Sequence, residues 1–207
     1  MNKKTVKTRP ELILVTDYKE RFIWFECGRS FTHSLAEGII KILNKLDKDS
    51  CQPIIFYIKG IGGDFYAFVK LAHAIERLKS SVVFIAFDFV KSGCFLITQS
   101  GKKCLAMADT KFTFHQAVDF LPKNEIMSQK KYLEGYSRLK QVDSLQFWIF
   151  TRKGTPVRLI SDLFEQEATI STQEAIKLGL VENVYDEIDF RKDKKRAEEM
   201  ARVKYKF

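Results

Sequence analysis

Two short apolar runs constrain this chain more than any other feature: Pro53–Lys59 (PIIFYIK) and Val82–Phe87 (VVFIAF). Each is nearly continuous in hydrophobicity, which is the pattern of a strand covered on both faces. Between them lies a helical pattern. Asp64 is a capping residue for a helix to about Lys79, with Phe68, Leu71, Ala72, Ile75 and Leu78 turned inward. A buried strand, a helix and a second buried strand indicate a parallel sheet in an α/β fold. The same alternation continues along the chain. Arg21–Glu26 (RFIWFE) reads as a first strand, and Phe31–Leu46 as a helix with Leu35, Ile39, Ile42 and Leu46 on one face. A short helix begins near Ser92, strands follow at Lys103–Met107 and Lys111–Phe114, and Leu180–Tyr185 is a last strand.

From Pro122 to about Arg152 the sequence is rich in helix formers. Ile126, Leu133, Tyr136, Leu139, Val142, Leu145 and Trp148 are spaced mostly by three and seven, which predicts one long helix with an end available for subunit contacts. Thr155-Pro156 reads as an N-cap followed by a first-turn proline. Ser171-Thr172-Gln173-Glu174 is a capping box, and Gly179 closes its helix.

With 45% hydrophobic residues and 18 Phe among 207, the chain carries material for a large core and is not a disordered segment. No run approaches the ~18 apolar residues of a membrane span, and Met1–Pro10 lacks the apolar stretch of a secretory signal. The formal charge of +9 is concentrated at the ends. Residues 1–10 carry Lys3, Lys4, Lys7 and Arg9 without an acid, and residues 191–207 carry eight Lys/Arg against Asp193, Glu198 and Glu199. The remaining 180 residues balance 23 basic against 23 acidic side chains. A balanced body argues against specific nucleic-acid recognition, and basic ends are usually solvated. No membrane partner is expected either. The four cysteines (Cys27, Cys51, Cys94, Cys104) form no C-x-x-C pair and only three His accompany them, so no metal site is expected. Reduced thiols in a cytoplasmic setting, mostly serving as small buried hydrophobes, fit this pattern.

Four places carry candidate chemistry. Lys59-Gly60-Ile61-Gly62-Gly63-Asp64 joins a buried strand to a helix, where glycines allow backbone amides to approach a bound group. It matches neither G-x-G-x-x-G nor a Walker loop, so no nucleotide cofactor is expected; a tight turn is its plain structural role. Lys91-Ser92-Gly93-Cys94 places a hydroxyl at the start of a helix after a buried strand. Ser92 is there either an ordinary N-cap or a nucleophile with the Gly93 amide beside it. His115 ends a strand as a lone imidazole, and Glu165 and Glu167 precede the capping box.

The order of these blocks resembles the Clp protease proteolytic subunit family, over about Glu20 to Glu187. YIKGIGGDFYA is similar to the family's strand followed by S-P-G-G, and KFTFHQA to its segment ending H-Q-P. ISTQEAIKLGLVENVY resembles its closing S-x-x-E-A-x-x-x-G-L helix and strand, and RFIWFECGRSFTHSLAEGIIKILNKL its opening strand and helix. The resemblance implies a ClpP/crotonase-type spiral of β-β-α units with a protruding long handle helix at about 123–152. It divides the chain into a basic N-terminal segment (1–19), the α/β domain (20–190) and a basic tail (191–207). It implies Ser92 as nucleophile, His115 as general base, Glu167 where the family has an aspartate, with Glu165 as a fallback, and the Gly62 and Gly93 amides as oxyanion donors. The implied function is a serine peptidase without cofactor or metal. It would act on peptides or unfolded protein inside a homo-oligomeric ring or stacked rings, with a Clp-type ATPase as the family's partner.

Several positions depart from the family. Gly60 and Ile61 stand for Ser and Pro, Lys91 replaces a small residue and Gly93 a methionine. AVDFLPKNEIM lacks the family's glycine-rich, substrate-aligning strand, and the segment before Glu20 is short and unlike its axial loops. These departures motivate a second function, a non-catalytic subunit co-assembling with an active partner. A third is a crotonase-type acyl-CoA enzyme, since the related fold shares the spiral of β-β-α units and an oxyanion hole and needs no Ser–His pair.

Overall fold

The computed structural model describes residues 11–118 and 129–205. Its spine is an eight-stranded mixed sheet. Strands β1 (Leu12–Asp17), β2 (Phe22–Cys27), β3 (Ile54–Gly60) and β4 (Val82–Lys91) lie side by side, and β5 (Lys103–Ala106) follows β4. Strand β6 (Lys111–Thr113) pairs with the far end of β4 and with β7 (Thr169–Ser171), while β8 (Asn183–Val184) borders β5. β2, β3, β4 and β5 are parallel neighbours, and β1 joins β2 antiparallel.

The uninterrupted apolar strands have a direct explanation in this layering. On β3 and β4, Phe56, Ile58, Phe84 and Ala86 point into one core, while Tyr57, Ile85 and Phe87 point into a second core on the opposite face. The first core is roofed by helices α1 (His33–Asp49), α2 (Phe65–Glu76), α3 (Gly93–Thr98), α4 (Gln129–Thr151) and α5 (Val157–Glu165). The short helix α6 (Thr172–Lys177) starts from the expected capping box, with both reciprocal bonds of Ser171 and Glu174 formed. Asp64 caps α2 as its sequence position predicts, its carboxylate accepting from Ala67 N–H at 2.9 Å.

The second core holds the largest departure from the sequence expectation. Residues 187–205 form one helix, α7 (Glu187–Tyr205), which crosses the expected start of a solvated tail at 191. Phe190, Ala197 and Ala201 are its buried residues. Phe190 packs against Trp24 and Phe87 with ring centroids 5.5 and 5.4 Å apart. The Tyr57 hydroxyl donates to Asp193, and burial together with that carboxylate and Tyr185 pushes the phenol pKa up. Arg196 pairs with Asp17 at 2.6 Å, and Lys204 donates to the Leu14 carbonyl at 2.7 Å. Asp193, Arg196 and Lys204 of α7 therefore have partners on the body, and these add to a thin stripe of one Phe and two Ala in docking it. The same contacts explain β1, which the sequence reading left inside a basic segment: α7 anchors it from outside while β2 pairs it from within.

Other boundaries shift for local reasons. Thr155 does not cap α5; its hydroxyl donates to the Leu178 carbonyl at 2.8 Å, and Pro156 holds the N-cap position without a side-chain bond. In α4 the residues of the apolar spacing and the buried face coincide only in part. Leu133, Tyr136, Leu145 and Trp148 are 46–60% exposed, whereas Val142, Gln146, Ile149 and Phe150 are buried. The expected start of that helix at 123–128, residues 119–127 of the glycine-free stretch, the basic residues 1–10, and residues 206–207 lie outside the described residues. Among the described residues no helix is long and apolar enough to cross a membrane.

Candidate active site

Strand β4 delivers the central residue. Its first half pairs with β5 through Val83–Ala86 and its second half with β6 through Phe89–Lys91. The switch of partner coincides with an irregularity in the β3–β4 ladder, where Ile58 faces Ala86 but Gly60 faces Val90. Asp88 sits in the extra length with φ 54°. A bulge of this kind re-aims a strand end, and here it carries Ser92 out of the sheet at the start of α3.

Ser92 itself has φ 50° and ψ −128°. A non-glycine residue held there costs about 1–3 kcal/mol and persists only where its surroundings impose it. They do so here: Ser92 N–H donates to the Thr113 carbonyl at 3.1 Å, and its carbonyl accepts from Phe95 and Leu96 N–H at 2.9 and 3.0 Å. The six residues of α3 behind it are all buried. The side chain makes no cap hydrogen bond to the helix, so the ordinary N-cap role does not account for this hydroxyl.

Two glycines border it, each for a steric reason. Gly62 has φ +96°, and a Cβ there would lie 2.7 Å from Ser92 Cβ, 3.0 Å from Ser92 Oγ and 3.2 Å from Gly93 N. Its carbonyl is taken by Phe31 N–H at 2.9 Å, which ties the loop to the start of α1. Gly93 faces α2: a Cβ would lie 2.0 Å from the Phe68 ring. As the first residue of a helix, Gly93 has an N–H with no intrahelical acceptor. Below them, burial pushes the Cys94 thiol up, neighbouring Cys27 adds to the shift and the Gly62 amide opposes it.

The imidazole arrives from β6. Phe114 is buried against Phe95, Phe150 and Phe164, and its N–H donates to the Ala168 carbonyl at 2.9 Å. That anchor places His115 on the wall of the cavity that also meets Ser92, Gly62 and Gly93. His115 Nδ1 is 2.6 Å from the Gln116 carbonyl. A carbonyl only accepts, so Nδ1 is the donor in this contact. Among the described residues no hydrogen bond joins His115 to Ser92 or to a carboxylate. Two residues on, Ala117 N–H donates to Asp143 Oδ1 at 2.9 Å, and Gln146 Nε2 donates to the same oxygen at 3.2 Å. This bond clips the histidine segment to α4.

The acids lie apart from the cavity wall. Glu167 occupies the turn between α5 and β7 with φ 47°, exposed, and directly precedes Ala168, the acceptor of Phe114 N–H. Its backbone is thus next to the histidine strand, but its carboxylate does not line the cavity. Glu165 is two residues earlier, at the end of α5, exposed, with Ser161 Oγ at 3.5 Å. Lys91 turns away, its ammonium 5.6 Å from the Phe89 ring centre.

The cavity has a volume of about 690 Å³, in the range that holds a peptide-sized ligand. Its remaining wall comes from Arg138, Leu139, Val142 and Gln146 of α4. Sequence reasoning assigned α4 no place in the site; Leu139 and Val142 belong to its apolar spacing, but Arg138 and Gln146 do not. The one available signal was the polar Gln146 amid apolar neighbours, which is 5% exposed.

Ser92 with its side chain free of capping, the His115 imidazole and the two glycines border one space, a set of groups suited to acyl transfer. Comparisons with known proteins bear on the family and the fold. The chain is 25% identical over 160 residues to ATP-dependent Clp protease proteolytic subunit 3 of Synechococcus sp. (strain CC9902), covering 76% of this chain and 79% of that one. It is 23% identical over 175 residues to the ATP-dependent Clp protease proteolytic subunit of Chaetosphaeridium globosum, covering 83% and 85%. The fold is similar to the crystal structure of the ClpP protease catalytic domain from Plasmodium falciparum, with a TM-score of 0.66 at 20% identity over 82% of this chain and 86% of that one. The family model described as Clp protease matches residues 12–188, and the chain belongs to that family.

Proposed function

We propose that this chain is a serine peptidase that cleaves peptides or unfolded protein within an oligomeric chamber. The observation that carries the reading is Ser92: an imposed left-handed backbone and an uncapped hydroxyl, on the same cavity as His115 and the Gly62–Gly93 pair. Ser92 Oγ attacks the peptide carbonyl while His115 Nε2 takes its proton and returns it to the leaving amine. The oxyanion is received by the Gly62 and Gly93 N–H groups; the Cys94 sulfur beside Gly62 is a weak acceptor and does not compete with an anion. Water then releases the acyl-enzyme by the reverse proton route.

Glu167 is our assignment for the third member, supported by its backbone position beside the histidine strand. Rotation of the Glu167 side chain and of the ring would exchange the Gln116 carbonyl for a carboxylate on Nδ1. Glu165 is the fallback. Assembly is supported by the exposed apolar side chains of α4 and α5, where Leu145, Trp148, Val157 and Leu159 are 46–60% exposed. The names of the relatives supply the ATP-dependent setting, and a Clp-type ATPase partner belongs to the proposal on that ground alone.

The test is hydrolysis of fluorogenic peptides by wild type and Ser92→Ala, with particle size measured in the same samples and labelling by an activated phosphonate. Loss of turnover and of label in Ser92→Ala, in particles of unchanged size, is expected. Equal residual hydrolysis in both would refute the reading. The second reading, a non-catalytic subunit, is favoured by one observation: His115 Nδ1 is bonded to the Gln116 carbonyl rather than to an acid. It predicts no label in any assembled state.

A further inference from the structure

The cavity wall carries one feature that acyl transfer does not use. Most of its lining beyond the reacting groups is apolar, including Ile61, Phe65, Val118, Leu139 and Val142. Two charged side chains stand among these, Asp64 and Arg138. Asp64 is committed: its Oδ1 caps α2 at 2.9 Å and lies 3.4 Å from His33 Nε2. Arg138 is not. Among the described residues no carboxylate, carbonyl or ring engages its guanidinium. Glu134, one helical turn away, does not pair with it among the described residues, and Asp143 is occupied by Ala117 and Gln146.

We infer that Arg138 makes this cavity selective for substrates that present a carboxylate. A guanidinium at the edge of an apolar pocket is a fork-shaped donor, and a carboxylate is the acceptor that satisfies it in a bidentate fashion. Arg138 shares one helix face with Leu139, Val142 and Gln146, so an acid held there would have its apolar stem against the same wall that receives the backbone. An uncharged side chain would leave the guanidinium to water, and a lysine would meet like charge. The inference rests on the peptidase reading for the word substrate, but not for the binding itself.

The carboxylate can be a glutamate side chain or the free end of a short peptide, and the test separates them. Matched fluorogenic peptides with Glu, Gln, Lys or Leu on the acyl side are prepared with amidated ends, and the Leu peptide also with a free C-terminal carboxylate. Wild type is expected to prefer Glu over Gln, or the free over the amidated Leu peptide, by roughly tenfold in kcat/KM. The preference is expected to shrink with salt. Arg138→Gln should abolish this ratio of acid to amide, and Arg138→Glu should turn it toward Lys. The same peptides, fluorescently labelled, are titrated onto Ser92→Ala protein, which reports binding whether or not the chain is a peptidase. Carboxylate-dependent binding lost in the Ser92→Ala, Arg138→Gln double variant would sustain the inference even if no peptide were cleaved. Equal affinity for acid and amide, or a preference that survives Arg138→Gln, would overturn it.

Discussion

Substituting Gly62 by alanine separates the oxyanion role of this loop from a merely structural one. The new methyl would stand 2.7 Å from Ser92 Cβ and 3.0 Å from Ser92 Oγ, inside the closest approach of real carbon atoms, at φ +96°. Two effects follow. The backbone must leave a conformation that L-residues rarely adopt, which costs about 1–3 kcal/mol. For a chain of this size that is a drop in Tm of roughly 2–12 °C. Moving the loop also takes the Gly62 N–H away from the position where an oxyanion forms, and losing one such donor lowers kcat by about 10²–10³-fold. The assay is steady-state hydrolysis of one peptide by wild type and Gly62→Ala at a temperature where circular dichroism shows both folded. A fall in kcat well beyond the fall in folded fraction is expected, with KM little changed. Wild-type kcat in folded Gly62→Ala protein would refute the assignment of this amide.

Three further outcomes follow. Glu167→Ala should lower kcat and shift the acidic limb of the pH–rate profile if its carboxylate meets His115 in the assembled enzyme, with Glu167→Gln intermediate; an unchanged profile would leave the Gln116 carbonyl as the orienting group. Tyr57→Phe removes the hydroxyl that joins β3 to Asp193 of α7, and should cost about 1–2 kcal/mol with earlier loss of hydrogen-exchange protection in Glu187–Tyr205 than in β3 and β4. Burial raises the Asp47 carboxyl pKa, but hydrogen bonding from Ser80, whose N–H donates at 2.6 Å, and from the Lys79 backbone outweighs this and holds it below its ordinary value. A depressed folded pKa stabilises above the unfolded value of about 3.9 and is lost as pH falls through the folded one. Acid denaturation followed by tryptophan fluorescence should therefore lose part of its slope in that window in Asp47→Asn.

What the amino-acid order determined by itself was local. The two-faced apolar runs of β3 and β4, the Asp64 cap and the Ser171–Glu174 capping box are settled within a few residues of chain, and all form as their patterns predict. The positions of Ser92, Gly62, Gly93 and His115 were also legible, because their order along the chain resembles a family pattern. Their meeting was not. It depends on the parallel register that sets Gly60 against Val90, on the bulge at Asp88 and on the pairing of β4 with β6, none of which leaves a local trace. The docking of α7 is similar: one Phe and two Ala are a faint stripe among many charges, and only the aromatic floor of Trp24, Tyr57 and Phe87 beneath it makes that stripe sufficient. The buried face of α4 was set by what it meets, since Leu133, Tyr136, Leu145 and Trp148 are exposed while the polar Gln146 is buried and donates to Asp143. Side-chain periodicity records how much of an element is apolar; which side is covered, and which distant groups share a void, is fixed when the layers close on one another.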